Sequence, residues 1–233
     1  MLGRASGGLA AAAALLASTV HSSLAGPNAG GTLILHANTN LTYSAETSSY
    51  CAQGGLASCS QANVSVAADP EVTTVFFVYA AFPGTASPRL LAVTFGIDYD
   101  DEDFALVSEG HCADFALPDD DWPDPTSGTA LTWESAETGT LVELAWFAGY
   151  AAAEEVPTSF ELTEHPTQGA DFADDSVPAV LDAVVAFGRL GFGETGYRPC
   201  PGFGQGGGFP DGPEGGEGPL GAGTSGVIKA VTR

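Results

Sequence analysis

Residues 73–82 (TTVFFVYAAF) and 89–99 (RLLAVTFGIDY) are the stretches whose reading decides the fold. The first is apolar almost throughout, rich in aromatic and branched residues, and stops at Pro83-Gly84. It is half the length of a membrane span, so it reads as a long, buried strand. The second alternates, with Leu91, Val93, Phe95 and Ile97 on one side, the period of a strand with one buried face. Working outward, similar short runs occur at 32–36, 41–44, 63–67, 104–107, 128–133, 140–147 and 159–163, separated by turn residues. The connections are too short for crossover helices, which argues against a parallel α/β sheet. Eight or nine short strands with frequent turn signals predict an all-β protein, an Ig-like antiparallel β-sandwich over residues 30–201. One helix is expected within 176–191: Ser176 caps, Pro178 sits in the first turn, and Val180, Leu181, Val184, Val185 and Phe187 follow at helical spacing.

The 233 residues carry 29 Asp plus Glu against 6 Lys plus Arg, a formal charge of −23. A chain so acidic has no basic patch with which to neutralise phosphates, so nucleic acid is excluded as a partner, and anionic membrane surfaces are disfavoured. With 44% of residues hydrophobic and 15% charged, the chain has enough apolar side chain for a core.

Both ends differ from the middle. Met1-Leu-Gly-Arg4, an Ala/Leu-rich run and Ser23-Leu24-Ala25 have the layout of a secretory signal peptide, with cleavage expected after Ala25. No later run approaches a membrane span, so no membrane insertion is expected after cleavage, and the protein is expected to be secreted or displayed at the cell surface. Residues 202–226 are dominated by Gly with three prolines, which reads as a flexible linker. The end segment 227–233 regains apolar character and carries two cations; it is either a short strand or a tag read by another protein.

Four cysteines fit an oxidising compartment. Two glycines between Cys51 and Cys59 let the chain double back, so these two are expected to pair, leaving Cys112 with Cys200. Zinc is the weaker reading, because there is no C-x-x-C and His111 beside Cys112 is not a usual ligand spacing.

The acidic clusters are the candidate functional features. Asp98, Asp100, Asp101 and Asp103 follow a strand, Asp119 to Asp121 and Asp124 lie in a loop, and Asp171, Asp174 and Asp175 precede the expected helix. Hard oxygen ligands at alternating positions suit Ca²⁺, so Asp98, Asp100, Asp101 and Asp103 are candidate calcium ligands; the competing reading is a solvated acidic surface. Asp175 is read as a contributor to the helix N-terminus. Trp122, between acidic residues and Pro123, is the candidate exposed aromatic for stacking on a sugar. G-x-S-x-G and H-E-x-x-H are absent and the three histidines after residue 25 lie in different segments, so no catalytic set is assigned. The function read from these features is a non-enzymatic binding or structural module with an extracellular protein or glycan as partner. A calcium-supported carbohydrate-binding domain is the alternative, and a secreted hydrolase the third reading.

The strings TVFFVYAAFP (74–83), VTFGIDYD (93–100), WFAGY (146–150), HPTQGADFADDSVP (165–178) and LGFG (190–193) together resemble a family of uncharacterised secreted bacterial proteins with an HPTQGxxFADDSVP-type signature, whose activity is unknown. In that family a further cysteine pair stands where this chain has Glu161 and Arg189. The resemblance therefore implies that Glu161 and Arg189 are neighbours, able to pair as ions. The ending GVIKAVTR is similar to W-G-x-I-K endings of exported proteins, without the Trp, which implies a sorting or anchoring signal.

Overall fold

A computed structural model describes residues 25–202. The expected signal segment up to Leu24, the Gly/Pro-rich stretch from Phe203 and the end segment 227–233 lie outside the described residues. The strands are β1 (Thr32–Ala37), β2 (Ser65–Val66), β3 (Thr74–Ala81), β4 (Leu90–Tyr99), β5 (Phe104–His111), β6 (Phe115–Pro118), β7 (Gly128–Glu137), β8 (Leu141–Ala151), β9 (Thr158–Thr163), β10 (Asp171–Ala173), β11 (Leu181–Ala183) and β12 (Arg189–Phe192), with a 3₁₀ turn at Cys59–Gln61. The two-sheet, all-β architecture is the expected one, with twelve strands in place of eight or nine.

The smaller sheet runs β1-β3-β8-β5, antiparallel throughout. In the larger sheet β4 is the hub. One edge of β4 carries β7, which carries β6; the other carries β9 beside residues 96–99 and β10 beside residues 92–93. β9 continues to β12 and, through a parallel pair, to β2, whereas β10 continues to β11. β9 and β10 thus lie along the same edge of β4 and are interrupted opposite Phe95, where residues 164–170 loop out.

Between the sheets the core is aromatic. Phe76 of β3 lies against Phe160 at 4.9 Å, Phe147 at 5.6 Å, Phe192 at 6.2 Å and Phe104 at 6.3 Å between ring centroids. Val93, Phe95 and Ile97 face this core, as the alternation of β4 requires. Leu91 does not join them: a register shift between Leu90 and Ala92 turns Leu90 inward instead. A second cluster covers the outer face of the smaller sheet, where Ile34, Val75, Phe77, Tyr79 and Trp146 meet Tyr50, Leu41, Tyr43 and Leu56 from the segment following β1. β3 is therefore buried on both faces, which is why its sequence is a continuous apolar run rather than an alternating one. Residues 41–44, read as a strand, are part of that irregular cover.

The cysteines pair as Cys51–Cys112 and Cys59–Cys200, so the expected local pairing is wrong. The chain does not double back between Cys51 and Cys59. Glu143 of β8 accepts the amides of Ala52 (2.7 Å) and Gly54 (3.3 Å) and the Tyr79 hydroxyl (2.8 Å), holding residues 52–54 flat on the sheet. Burial and the Glu143 carboxylate push the Tyr79 hydroxyl far above its ordinary pKa. Cys51 is left beside the end of β5, and Cys59 beside the chain's last described turn. Both bridges fasten the covering segment, one to each side.

The expected helix over 176–191 is not formed. Residues 181–185 alternate exposed and buried, with Asp182 and Val184 inward, and β11 and β12 occupy this part of the chain. Branched residues, a polar residue needed inside and Pro178 favour strand over helix here. Asp182, buried, accepts the amides of Gly26 (2.8 Å) and Asn28 (2.9 Å), so it ties the start of the domain to β11. Ser176 caps no helix. Asp174 Oδ1 accepts its amide and hydroxyl and the Val180 amide, closing the β10–β11 turn, while Asp175 pairs with Arg89. The Ser176 hydroxyl and the Val180 amide hold the Asp174 carboxyl below the usual range.

Arg189 of β12 stands opposite Glu161 of β9 in register, its Nη1 3.7 Å from Glu161 Oε1 and 3.7 Å from Glu194 Oε1. The adjacency implied for Glu161 and Arg189 is present.

Candidate functional site

Asp98, Asp100 and Asp101 leave the end of β4 and enter the turn before β5. Asp100 shapes that turn: Oδ1 accepts the Glu102 amide at 2.9 Å and its carbonyl accepts the amides of Asp103 and Phe104. The loop between β6 and β7 comes back over the same end of the sandwich. Tyr99 joins the two, its ring stacked on Phe160 at 5.5 Å and its hydroxyl donating to the Pro123 carbonyl at 3.0 Å. The result is an open cleft of about 690 Å³ lined by Asp98, Tyr99, Asp100, Asp101, Asp124 and Pro125. Burial, and then the charges of Asp124 and Asp101, push the Tyr99 hydroxyl up to about 12.

Of the four candidate calcium ligands, the structure brings Asp98, Asp100 and Asp101 to this cleft and adds Asp124 from the second acidic cluster, which was not among the candidate ligands. Asp103 does not line it; Asp103 is half-buried behind the turn, its carbonyl accepting the Ala152 amide. Carboxylates and one phenol are the polar groups lining the cleft. Such a set can coordinate a hard cation or repel an anion.

Trp122 does not present an exposed ring. It is half-buried, 6.1 Å from Phe95 and 6.0 Å from Phe147 between centroids, closing the end of the core. Pro123 and the tie to Tyr99 draw the loop inward, so the stacking role expected for Trp122 is withdrawn.

The Trp122 indole also faces Glu109 of β5. Burial is the main influence on Glu109 and raises its carboxyl above the ordinary range, opposed by the Trp122 indole and by His111. The folded state therefore holds this proton more tightly than the unfolded chain. Stability from Glu109 falls as pH rises between the unfolded value, about 4.3, and the folded one. Glu109→Gln should melt higher than the parent at pH 7, and the gain should disappear by about pH 4. Calorimetry across that range checks it, and an equal gain at both ends would show that the carboxyl's ionisation is not the cause.

His165 is buried inside the loop that interrupts the β9–β10 edge. Its Nδ1 accepts the Thr167 amide at 3.3 Å, and its Nε2 lies 3.5 Å from Asp119 Oδ1 and 3.2 Å from Gln168 Nε2. Asp119 Oδ2 in turn accepts the Gly128 amide at 3.1 Å. One of the three loop aspartates is thus a structural brace between loop 164–170 and β7. The Glu143 latch and the His165–Asp119 brace carry no local sequence signal, because each depends on partners far along the chain.

No family model and no curated protein matches the chain. Among solved structures, the cohesin module of a Clostridium perfringens family 33 glycoside hydrolase is 10% identical with a TM-score of 0.42, covering 56% of this chain and 89% of that one. CaCohA2 from Clostridium acetobutylicum is 13% identical with a TM-score of 0.40, covering 52% and 81%. The Coh-OlpA–Doc918 cohesin–dockerin complex from Clostridium thermocellum is 9% identical with a TM-score of 0.39, covering 67% and 96%.

Proposed function

We propose that the protein is a secreted or surface-displayed, non-enzymatic module that binds another protein. The observation that carries this reading is the outer face of the larger sheet, where Phe115, Leu117 and Leu181 stand 54, 58 and 63% exposed. Large apolar side chains grouped on one face of a folded domain are a recognition surface more often than an accident of packing. The two disulfides support a location outside the cytoplasm. The test is binding of the purified protein to the host's surface and culture proteins, compared with a Phe115→Glu/Leu181→Glu variant that keeps its melting temperature. Loss of a saturable interaction in the variant is expected. Turnover of ester, peptide or glycoside substrates by the parent would overturn the reading.

A second reading concerns the cleft, favoured by the convergence of Asp98, Asp100 and Asp101 with Asp124 from a separate loop. Calcium held there would join the β4–β5 turn to the β6–β7 loop. Millimolar Ca²⁺ should then raise the melting temperature by several degrees relative to chelator, and Asp124→Asn should abolish the shift. No difference between calcium and chelator removes the metal from the account.

A further inference from the structure

Register places Phe115 (β6), Thr132 (β7), Ala92 (β4), Ala173 (β10) and Leu181 (β11) side by side in one row across the outer face of the larger sheet. In the next row Leu117, Ala130 and Thr94 continue to Asp171 and the exposed Ala183, the Asp171 amide donating to Thr94 Oγ1 at 3.1 Å. Small residues form a floor between Phe115 and Leu117 on one edge and Leu181 on the other. The floor's hydroxyls are already used: Thr132 Oγ1 donates to the Leu91 carbonyl at 3.1 Å, and Thr94 Oγ1 takes the Asp171 amide. Their methyl groups are what remains for a ligand. Elsewhere the same face is charged, with Asp98, Glu161 and Arg189 in adjacent strands.

Four strand spacings of about 4.8 Å put the walls about 19 Å apart between backbones. That width takes one α-helix, about 10–12 Å across, lying along the strands. Two rows over five strands make a patch of about 300 Å², far below the roughly 800 Å² per partner of a stable dimer, so a second copy is a poor fit. Charge argues the same way. Residues 25–202 carry 26 carboxylate side chains and three arginines. Arg89 pairs with Asp175, Arg189 with Glu161 and Glu194, and Arg198 donates to the Ala62 carbonyl. Asp114 and Glu134 are exposed beside the Phe115 wall, and Asp171 lies on the floor. A second copy would bring like charges together, whereas a basic partner would be complemented.

We infer that this face docks a single amphipathic helix of another protein, with an apolar stripe on the Ala/Thr floor and Lys or Arg along its flanks, an assignment that rests on the protein-binding reading above. The probe is a synthetic 16-residue Leu/Ala/Lys peptide with a helical apolar stripe, set against a peptide of the same composition with the stripe scrambled, on full-length isotope-labelled protein with both disulfides formed. The striped peptide should bind at least tenfold tighter than the scrambled one and shift amides at 115–117, 130–132, 173 and 181. Ala92→Glu and the milder Leu181→Ala should each weaken it, the first by tenfold or more, while Asp120→Asn changes affinity less than threefold. Shifts confined to 98–103 and 119–124, or equal binding of both peptides, would overturn the assignment and leave the protein-binding reading standing. A concentration-dependent dimer that buries this face would replace the helix by a second copy. A glycan perturbing the same amides would overturn both readings.

Discussion

Cys59→Ser/Cys200→Ser should lose about 5 kcal/mol of stability. The bridge spans 141 residues, and closing a loop of that length removes about 17 cal/mol/K of chain entropy from the unfolded state. The Cys51–Cys112 bridge, spanning 61 residues, should contribute slightly less, about 4 kcal/mol. Denaturant titrations of the two double-serine variants rank them. The order matters, because a domain stapled by a short 51–59 loop would lose much less on removing Cys59 than on removing Cys200. With Cys59 bonded to Cys200, the two single variants should be equally damaged.

Phe76→Ala should cost about 3–5 kcal/mol. Phe76 is fully buried, joins both sheets, and meets four other phenylalanine rings. Offset and edge contacts of this kind each add about 0.5–1.5 kcal/mol beyond buried area, and the surrounding rings are too rigid to collapse into the space left. Phe115→Ala, on the exposed face, should change stability by less than about 0.5 kcal/mol. Equal costs at the two positions would show that the core has been assigned to the wrong faces.

Most of the sandwich was legible in the sequence, because the signal for a strand is local. The runs at 73–82 and 89–99 became β3 and β4 with their ends moved by a residue, and the runs at 128–133, 140–147 and 159–163 became β7, β8 and β9. What escaped was decided by distant partners. β10 and β11 are three residues each, too short for alternation to register, and their identity depends on β4 lying alongside and on Asp182 being needed by Gly26 and Asn28. A spacing of 180, 181, 184, 185 suits a helix, and the tertiary setting overrode it. The cysteine pairing failed for a related reason: proximity in sequence was weighed without the cover that Glu143 pins flat. At the candidate site, Asp98, Asp100 and Asp101 could be named from their strand-end position. Asp124 stood out only as part of a second acidic cluster, since only folding brings the β6–β7 loop over that end, and Trp122 was misjudged because acidic neighbours mask a core-capping ring.

The interleaved bridges also set a mechanical path. Tension applied at residues 25 and 202 runs through the chain to Cys59, crosses to Cys200 and leaves, so residues 60–199 carry none of it while the bridge is intact. The elements in line with the load are β1 and the cover that follows it. β1 holds to β3 by an antiparallel ladder, and the cover is held by a second covalent bond from Cys51 to Cys112. A molecule pulled by its ends would yield a short extension and stop, with the larger sheet and the face it presents still folded.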